Sequence, residues 1–144
     1  MSQAQAVTAT FTAITHTLTV DVTPGQGSGS VSSDVGSIDC PADCDDVYAQ
    51  PTVVTLSAVA DPGSNFAGWS GAGCSGIGTC QVTMDQARSV TATFPLQSDL
   101  TVQVIGSGSV TSDVGSIDCP AVDCDDTYPS DSTVTLTADP DPNQ

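Results

Sequence analysis

Six cysteines carry the clearest chemistry in this chain, because they fall into three close pairs. The pairs are Cys40 with Cys44, Cys74 with Cys80, and Cys119 with Cys124. No histidine lies near any pair and none has the C-x2-C spacing of zinc sites, so metal thiolates are disfavoured. We predict disulfides, which are typical of oxidising compartments, and we favour pairing within each close pair. Pairing across loops, such as Cys40 with Cys74, stays open from the sequence.

Aspartates surround the first and third cysteine pairs in two equivalent clusters. The clusters are Asp39, Asp43, Asp45 and Asp46, and then Asp118, Asp123, Asp125 and Asp126. Carboxylate oxygens on a pinned loop suit Ca²⁺, which makes calcium the one candidate cofactor of this chain. The spacing matches neither an EF-hand loop nor the nine-residue calcium repeats. A solvated acidic face is therefore the simpler interpretation, and no firm metal site is predicted.

The sequence offers little for catalysis. His16 is the single histidine, and it lies in a short segment between repeats whose second copy has none. The acidic clusters lie in cysteine-closed loops and not beside an aromatic-lined cleft, where glycosidase carboxylates would be expected. Arg88, the only arginine, fits a solvated turn or an ion pair with an aspartate of a neighbouring unit. We therefore predict that the chain is not an enzyme.

An internal repeat organises these residues. Residues 1–11 reappear almost intact as residues 84–94, and residues 27–40 return as residues 106–119 with one substitution. Self-similarity at a period near 80 residues indicates tandem units of one small domain. If residue 84 is interior to a unit, its counterpart Met1 is also interior, so we expect the chain to be a window of a longer tandem-repeat polypeptide.

The repeat predicts three parts along the chain. Residues 1–17 would be the closing strand of a preceding unit plus a linker, with the linker at residues 12–17. Residues 18–99 would be one complete unit plus a linker at residues 95–99, and residues 100–144 the front half of a following unit. Units of this size bury only a modest core, so crosslinks are expected to assist them.

Each unit is predicted to consist of five to seven strands with no helix longer than one turn. The alternation of Leu18, Val20 and Val22 with polar residues is the pattern of a half-buried strand. Residues 80–84 and 89–94 are expected to form a hairpin, connected by residues 85–88. The chain has no Glu or Lys, so good helix formers are scarce. The predicted fold class is all-β, with tandem small antiparallel units stapled by disulfides.

The charge balance restricts the partners. The formal net charge is −16 and comes from aspartate alone. Nucleic acid and anionic membranes need Lys or Arg, so neither is an expected partner. No apolar run is long enough to span a bilayer, and no signal peptide is visible.

Several motifs of the complete unit resemble the divergent internalin-B-type B-repeat of bacterial surface and secreted proteins. They are Phe66-Ala67-Gly68-Trp69-Ser70-Gly71, the pair Cys74 and Cys80, Val82-Thr83-Met84, and Val90-Thr91-Ala92-Thr93-Phe94. The front half of the unit resembles the same family, so the resemblance covers nearly the whole chain. It implies small β-grasp-like or β-sandwich-like domains in tandem with stalk, adhesion or assembly roles. It implies no catalytic residues.

The sequence therefore predicts an extracellular or cell-surface structural protein, a bacterial stalk, adhesin shaft or filament. Its expected partners are neighbouring repeats or copies of itself, joined end to end, and cell-surface or matrix components. The alternative is an accessory module that binds carbohydrate or a host receptor through Trp69, Tyr48 and the loops. Trp69 is more simply explained as a core residue.

Overall fold

The computed structural model describes residues 6–23, 27–120 and 123–142. Within these ranges the chain forms strands and no helix, so the predicted all-β class is confirmed. The complete unit contains β1 Thr15–Val22, β2 Gly29–Ser33, β3 Asp39–Cys40, β4 Asp45–Ala49, β5 Val53–Ala60, β6 Gly68–Ser70, β7 Cys80–Thr83 and β8 Arg88–Thr93. The second unit contains β9 Gln97–Thr101, β10 Gly108–Ser112, β11 Asp118–Cys119, β12 Asp125–Pro129 and β13 Leu136–Pro140.

Two four-stranded sheets enclose the core of the complete unit. One sheet has the strand order β4-β1-β8-β6 and the other has the order β3-β2-β5-β7. Neighbouring strands are antiparallel except for β1 and β8, which run parallel. One buried cluster draws side chains from both sheets, so the unit is sandwich-like. Its largest fully buried side chains are Phe94, Leu18, Leu56, Met84, Val31, Val54, Val82 and Val90.

The alternation of apolar and polar residues explains which face of each strand is buried. In β1, Leu18 and Val20 are buried while Thr19 and Asp21 are exposed. Strand β5 follows the same rule, because its Val54 and Leu56 are buried and Ser57 is exposed. Successive side chains of a strand point to opposite faces, so this pattern fixes one side of each sheet toward the core.

The predicted hairpin of residues 80–94 is wrong. Strand β7 pairs with β5 in one sheet, whereas β8 pairs with β1 and β6 in the other. Residues 84–87 therefore cross between the sheets, and Val82 and Val90 reach the same core from opposite sides. A period-two pattern identifies a strand and its buried face but not its partner, and a short connection suits a crossing as well as a hairpin.

The strands also extend into the predicted linkers. Strand β1 begins at Thr15 and pairs with β4, and β9 begins at Gln97 and pairs with β12. His16 consequently lies in a strand opposite Tyr48 and not in a linker. Residues 6–14 form no strand, and residues 1–5 of the expected closing strand lie outside the described residues. Their assignment to a preceding unit stays a prediction.

The second unit repeats only part of this sandwich within residues 97–142. Strands β9 and β12 form one small sheet, and β10, β11 and β13 form the other. These correspond to β1 to β5, while no strand in this range corresponds to β6, β7 or β8. Positions that are buried in the complete unit are consequently exposed to solvent in the second unit. Leu56 is 0% exposed, whereas its counterpart Leu136 is 42% exposed.

We predict that truncating these two equivalent leucines has unequal effects. Leu56→Ala leaves a cavity between the sheets and is expected to lower the free energy of unfolding of the complete unit by about 2–5 kcal/mol. The matched variant Leu136→Ala should change it by less than about 0.5 kcal/mol, because Leu136 is half-exposed and lies outside the core of the complete unit. Denaturant titration followed by the fluorescence of Trp69, the single tryptophan, reports on the complete unit alone. Equal losses for both variants would show that the two units share one core.

Candidate functional site

The cysteine-closed loops lie where the chain crosses from one sheet to the other. In the structure the sulfur atoms are joined within each close pair, with Cα–Cα distances of 4.9 Å, 5.4 Å and 5.2 Å in chain order. The first disulfide closes the crossing from β3 to β4, and the second closes the crossing from β6 to β7. These distances lie within the usual range for disulfides. The crosslinks thus fasten the two sheets of a small sandwich to each other.

Backbone hydrogen bonds reinforce the first of these crossings. The amide of Asp39 donates to the carbonyl of Asp43 at 2.7 Å, and the amide of Asp43 donates back at 2.9 Å. The amide of Val20 in β1 donates to the carbonyl of Cys44 at 2.7 Å. This bond ties the loop to the sheet that contains β1 and β4. In the second unit, Val102 makes the same bond to Cys124 at 2.7 Å. The stapled loop is therefore a reproducible corner of the fold.

Asp46 holds the loop between β2 and β3, residues 34–38, in place. Its carboxylate accepts hydrogen bonds from the amides of Val47 at 2.7 Å and Ser37 at 2.8 Å. These bonds, first that from Val47 and then that from Ser37, hold the pKa of Asp46 below its usual value. Asp126 makes the equivalent bonds to Ser116 at 2.7 Å and Thr127 at 2.8 Å, and its pKa is lowered in the same way.

Two further residues hold the same loop. Asp34 accepts a hydrogen bond from the amide of Thr55 at 2.7 Å, which lowers the pKa of Asp34. The hydroxyl of Tyr48 donates to the carbonyl of Val35 at 3.0 Å. Gly36 lies in the same loop and has a φ of +83°. A Cβ there would collide with the Asp46 carboxylate and the Tyr48 ring. The second unit repeats this arrangement with Asp113, Thr135, Tyr128, Val114 and Gly115.

The structure gives the predicted calcium residues a different setting. Among the described residues, no group of three or more acidic, histidine or cysteine side chains is arranged to hold a metal ion. Asp46 and Asp126 face backbone amides, and Asp39 and Asp43 meet through their main chains. A carboxylate oxygen that accepts hydrogen bonds from backbone N–H groups stabilises the loop and is less available to a cation. The geometry therefore favours loop bracing over cation binding.

Trp69 and Tyr48, the residues of the predicted binding alternative, both lie in the core. Each side chain is 5% exposed, so neither ring has a face free for a sugar. The indole Nε1 of Trp69 donates to the carbonyl of Gly78 at 2.6 Å, and Phe66 packs edge-on against the indole at 5.1 Å. Buried aromatic rings whose polar atoms are satisfied are typical of packing residues.

The remaining predicted chemistry residues also have local roles. Arg88 begins β8 and donates to Asp85 at 2.7 Å within its own unit, so the predicted turn position and the predicted pair between units are both wrong. That bond lowers the pKa of Asp85. The buried Nε2 atom of His16 has no hydrogen-bond partner in the described structure, so it forms no pair with a serine hydroxyl. No described helix is long and apolar enough to cross a membrane.

Sequence reasoning missed the residues that brace the loop. Asp34, Ser37 and Gly36 were not singled out, nor were their counterparts Asp113, Ser116 and Gly115. The signal was present, because the segment Asp34-Val35-Gly36-Ser37-Ile38-Asp39-Cys40 recurs unchanged as residues 113–119. Asp and Ser side chains in loops commonly hydrogen-bond to nearby backbone groups, and Gly adopts a positive φ at no steric cost, so these residue types were the signal.

Comparison with known families finds a match over more than half of the chain. The family described as the divergent InlB B-repeat domain matches residues 18–98, which is the complete unit with its following linker. No curated protein and no solved structure matches the chain.

We predict an acid-sensitive fold, with part of the sensitivity arising at Asp46. A carboxylate with a lowered pKa stabilises the fold above its ordinary pKa of 3.8, and this stabilisation is lost as the pH falls through the lowered value. Asp46→Asn should therefore be less stable at neutral pH and show a smaller further loss between about pH 5 and pH 2. Denaturant midpoints across this range measure both effects.

Asp45→Asn is the matched control for this variant. It removes the same charge from the adjacent residue, whose carboxylate accepts no hydrogen bond among the described residues. Its pH profile should follow that of the unaltered chain. Superimposable profiles for both asparagine variants would remove the bracing role of Asp46.

We also predict that calcium leaves the thermal stability unchanged. A ligand at a hundredfold excess over its Kd would raise the free energy of unfolding by about 2.7 kcal/mol, so a built site would shift the melting temperature measurably. Melting curves in calcium and in a chelator should coincide once ionic strength is matched with sodium chloride, which also screens the charge of −16. A rise specific to calcium would restore the calcium site.

Proposed function

The chain belongs to the divergent InlB B-repeat family, and from that premise we propose that it is a structural segment of an extracellular stalk, adhesin shaft or filament. The family indicates a bacterial surface repeat domain, and such repeat domains are typically not enzymes. The finer role, a load-bearing or spacing element made of units joined end to end, is the proposal made here.

The observation that carries this proposal is the identical way in which two linkers enter two units. The amide of Gln50 donates to the carbonyl of Ile14 at 2.8 Å, and the amide of Ser130 donates to the carbonyl of Leu96 at 2.7 Å. Gln50 and Ser130 occupy equivalent positions after β4 and β12, and Ile14 and Leu96 directly precede β1 and β9. A junction that repeats in this way supports an array in which each unit contacts only its neighbours.

The extent of the surface supports an extended arrangement. The accessible surface is 9300 Å² for a chain of 14.4 kDa. A compact monomer of this mass would expose about 6,800 Å². The excess is consistent with two small units in series, one of them open, and not with one globular domain.

The chemistry of the chain suits an exposed location. Disulfides close the crossings of both units, and such crosslinks persist in oxidising surroundings. The chain has one Arg and no Lys, and that Arg is paired with Asp85, so trypsin-like proteases have one cleavage site. We propose neighbouring repeats, other copies of the chain and cell-surface or matrix components as partners. Nucleic acid is not among them.

The accessory binding module is the weaker proposal. It named Trp69, Tyr48 and the loops as the ligand-binding parts, and the burial of both rings leaves only the loops for that role. Phe66 and Phe94 offer no such platform either, because their rings pack against each other at 5.2 Å between centroids.

Small-angle scattering of the disulfide-intact chain tests the proposed shaft. A compact protein of this length would have a radius of gyration of about 15 Å. We expect a clearly larger value for the monomer at low concentration, with a distance distribution that shows two bodies in series. Electron micrographs of the native material should show rods of uniform width. A compact monomer at the globular value would contradict the proposal.

A further inference from the structure

We propose that neighbouring units are joined by a rigid junction, so that they keep one fixed orientation. The junction is a clasp made of residues 63–65 of the complete unit, residues 95–97, and residues 129–130 of the second unit. This inference rests on the proposed function and deepens it, because it makes the shaft stiff at its joints. Two domains on one chain usually move relative to each other unless contacts between them prevent it.

The linker is too short to act as a free hinge. Phe94 is 1% exposed in the core of the complete unit, and β9 of the second unit begins at Gln97. Only Pro95 and Leu96 lie between these two fixed points. The proline ring holds the φ angle of Pro95 at about −65°, so the segment has few torsion angles left to vary.

Hydrogen bonds from the complete unit hold one side of the linker. The amide of Asn65 donates to the carbonyl of Pro95 at 3.0 Å, and the amide of Gln97 donates to the carbonyl of Gly63 at 2.8 Å. Between these bonds, Ser64 and Leu96 lie opposite each other as an antiparallel pair. The linker thus pairs with residues 63–65 as a strand pairs with its neighbour.

The second unit holds the other side of the linker. The amide of Ser130 donates to the carbonyl of Leu96 at 2.7 Å, and the next residue of the linker, Gln97, pairs with Pro129. The carbonyls of Pro95 and Leu96 are therefore bonded to different units. Any rotation of one unit against the other has to break hydrogen bonds on one side of the linker or the other.

Gly27 shows how closely the complete unit approaches the linker. A Cβ at this position would lie 2.5 Å from the carbonyl oxygen of Phe94, 2.6 Å from the carbonyl carbon of Pro95 and 2.8 Å from the amide nitrogen of Leu96. All three are backbone atoms, so no side-chain rotation can relieve the overlap. Only glycine allows the linker to lie in this place.

The turn that bonds to the linker is itself fixed to the complete unit. The amide of Ser28 donates to the hydroxyl oxygen of Ser64 at 2.9 Å, and the amide of Asp61 donates to the carbonyl of Ser28 at 3.0 Å. The second unit repeats the latter bond, because the amide of Asp141 donates to the carbonyl of Ser107 at 3.3 Å. The turn is therefore a fixed part of the unit, and its attachment recurs with the repeat.

The ends of the two units face each other beside the linker. Side chains from both units line a cavity of about 190 Å³, with Thr23 and Thr93 from the complete unit and Ser130 and Asp131 from the second. At about 30 Å³ for each water molecule, this cavity holds only a few waters. The gap is narrow, so one unit has little room to tilt toward the other on this side.

A fixed junction gives the shaft a regular shape. Gln50 makes the bond to Ile14 that Ser130 makes to Leu96, so the same end of each unit receives the preceding linker in the same way. Each added unit would then repeat one rotation and one displacement, and the junction would set the twist and curvature of the array. Such a shaft bends as a rod and not as a chain of freely hinged units.

Nuclear magnetic resonance of the isotope-labelled 144-residue chain, with its disulfides intact, tests the proposal. Residual dipolar couplings of backbone amides, measured in an uncharged aligning medium, report the orientation of each unit. One alignment tensor should fit the strands of both units. The order parameters S² of the Leu96 and Gln97 amides should be near about 0.85, as in the strands, whereas a flexible linker would give values below about 0.6.

Two variants are expected to disrupt the clasp by different means. Gly27→Ala places a methyl group against the backbone of the linker. Gln97→Pro removes the amide that bonds to Gly63, and β9 keeps its pairing because that amide faces the complete unit and not β12. In both variants the S² of Leu96 should fall to about 0.6 or below, and the two units should need separate alignment tensors.

Gly78→Ala is the matched control for the added methyl group. A Cβ at this position would meet nothing within 4 Å, so this variant should share one alignment tensor between its units, as the unaltered chain does. The fluorescence transition of Trp69 shows whether the complete unit is folded in each chain. If Gly27→Ala unfolds the complete unit, the comparison rests on Gln97→Pro.

The outcomes separate this inference from the proposed function. Separate tensors for the two units of the unaltered chain would overturn the rigid junction, and so would a shared tensor in folded chains that carry the disrupting substitutions. In either case an extended monomer in the scattering experiment would still support a shaft, one whose joints are flexible or are held by other contacts. A compact monomer would instead contradict the proposed function.

Discussion

The parallel pairing of the first and last strands of a unit is the constraint on which this fold depends. Strand β8 lies between β1 and β6, so the sheet that β1 begins is complete only after the chain has passed through both sheets. Parallel neighbours require a long crossover connection, and here the rest of the unit is that connection. The boundaries of a unit therefore follow from pairing as well as from sequence repetition, and a chain that lacks the last strand leaves a core face open.

The disulfides matter because each complete unit is small. They close the two short crossings, from β3 to β4 and from β6 to β7, at which the chain leaves one sheet for the other. In the chain-entropy account a crosslink restricts the unfolded chain, and short loops of this kind contribute on the order of 2 kcal/mol each. Asp34, Asp46 and Tyr48 brace the adjoining loop through hydrogen bonds to backbone groups. Covalent and polar bracing together supplement a core of limited size.

The sequence predicted the elements of this fold better than their arrangement. The alternation of Leu18, Val20 and Val22 with polar residues predicted which side chains of β1 face the core. The pairing of β7 and β8 could not be predicted, because Val82 and Val90 would alternate in the same way in a hairpin or in two facing sheets. The interpretation of the aspartate clusters as candidate calcium ligands met a similar ambiguity. Carboxylates near a turn suit a cation or backbone amides equally, and only the geometry distinguishes Asp46 as a brace.

Native-state hydrogen exchange on the dilute, monomeric chain tests most directly whether the last strand completes the sheet begun by the first. The account predicts that amides between Leu18 and Val22 exchange slowly, with the global unfolding of the complete unit. It predicts that the equivalent amides between Leu100 and Val104 exchange much faster, through local opening, because β12 pairs with this segment on one side and no described strand lies on the side that β8 occupies in the complete unit. Equally slow exchange of both segments in the monomer would contradict the account.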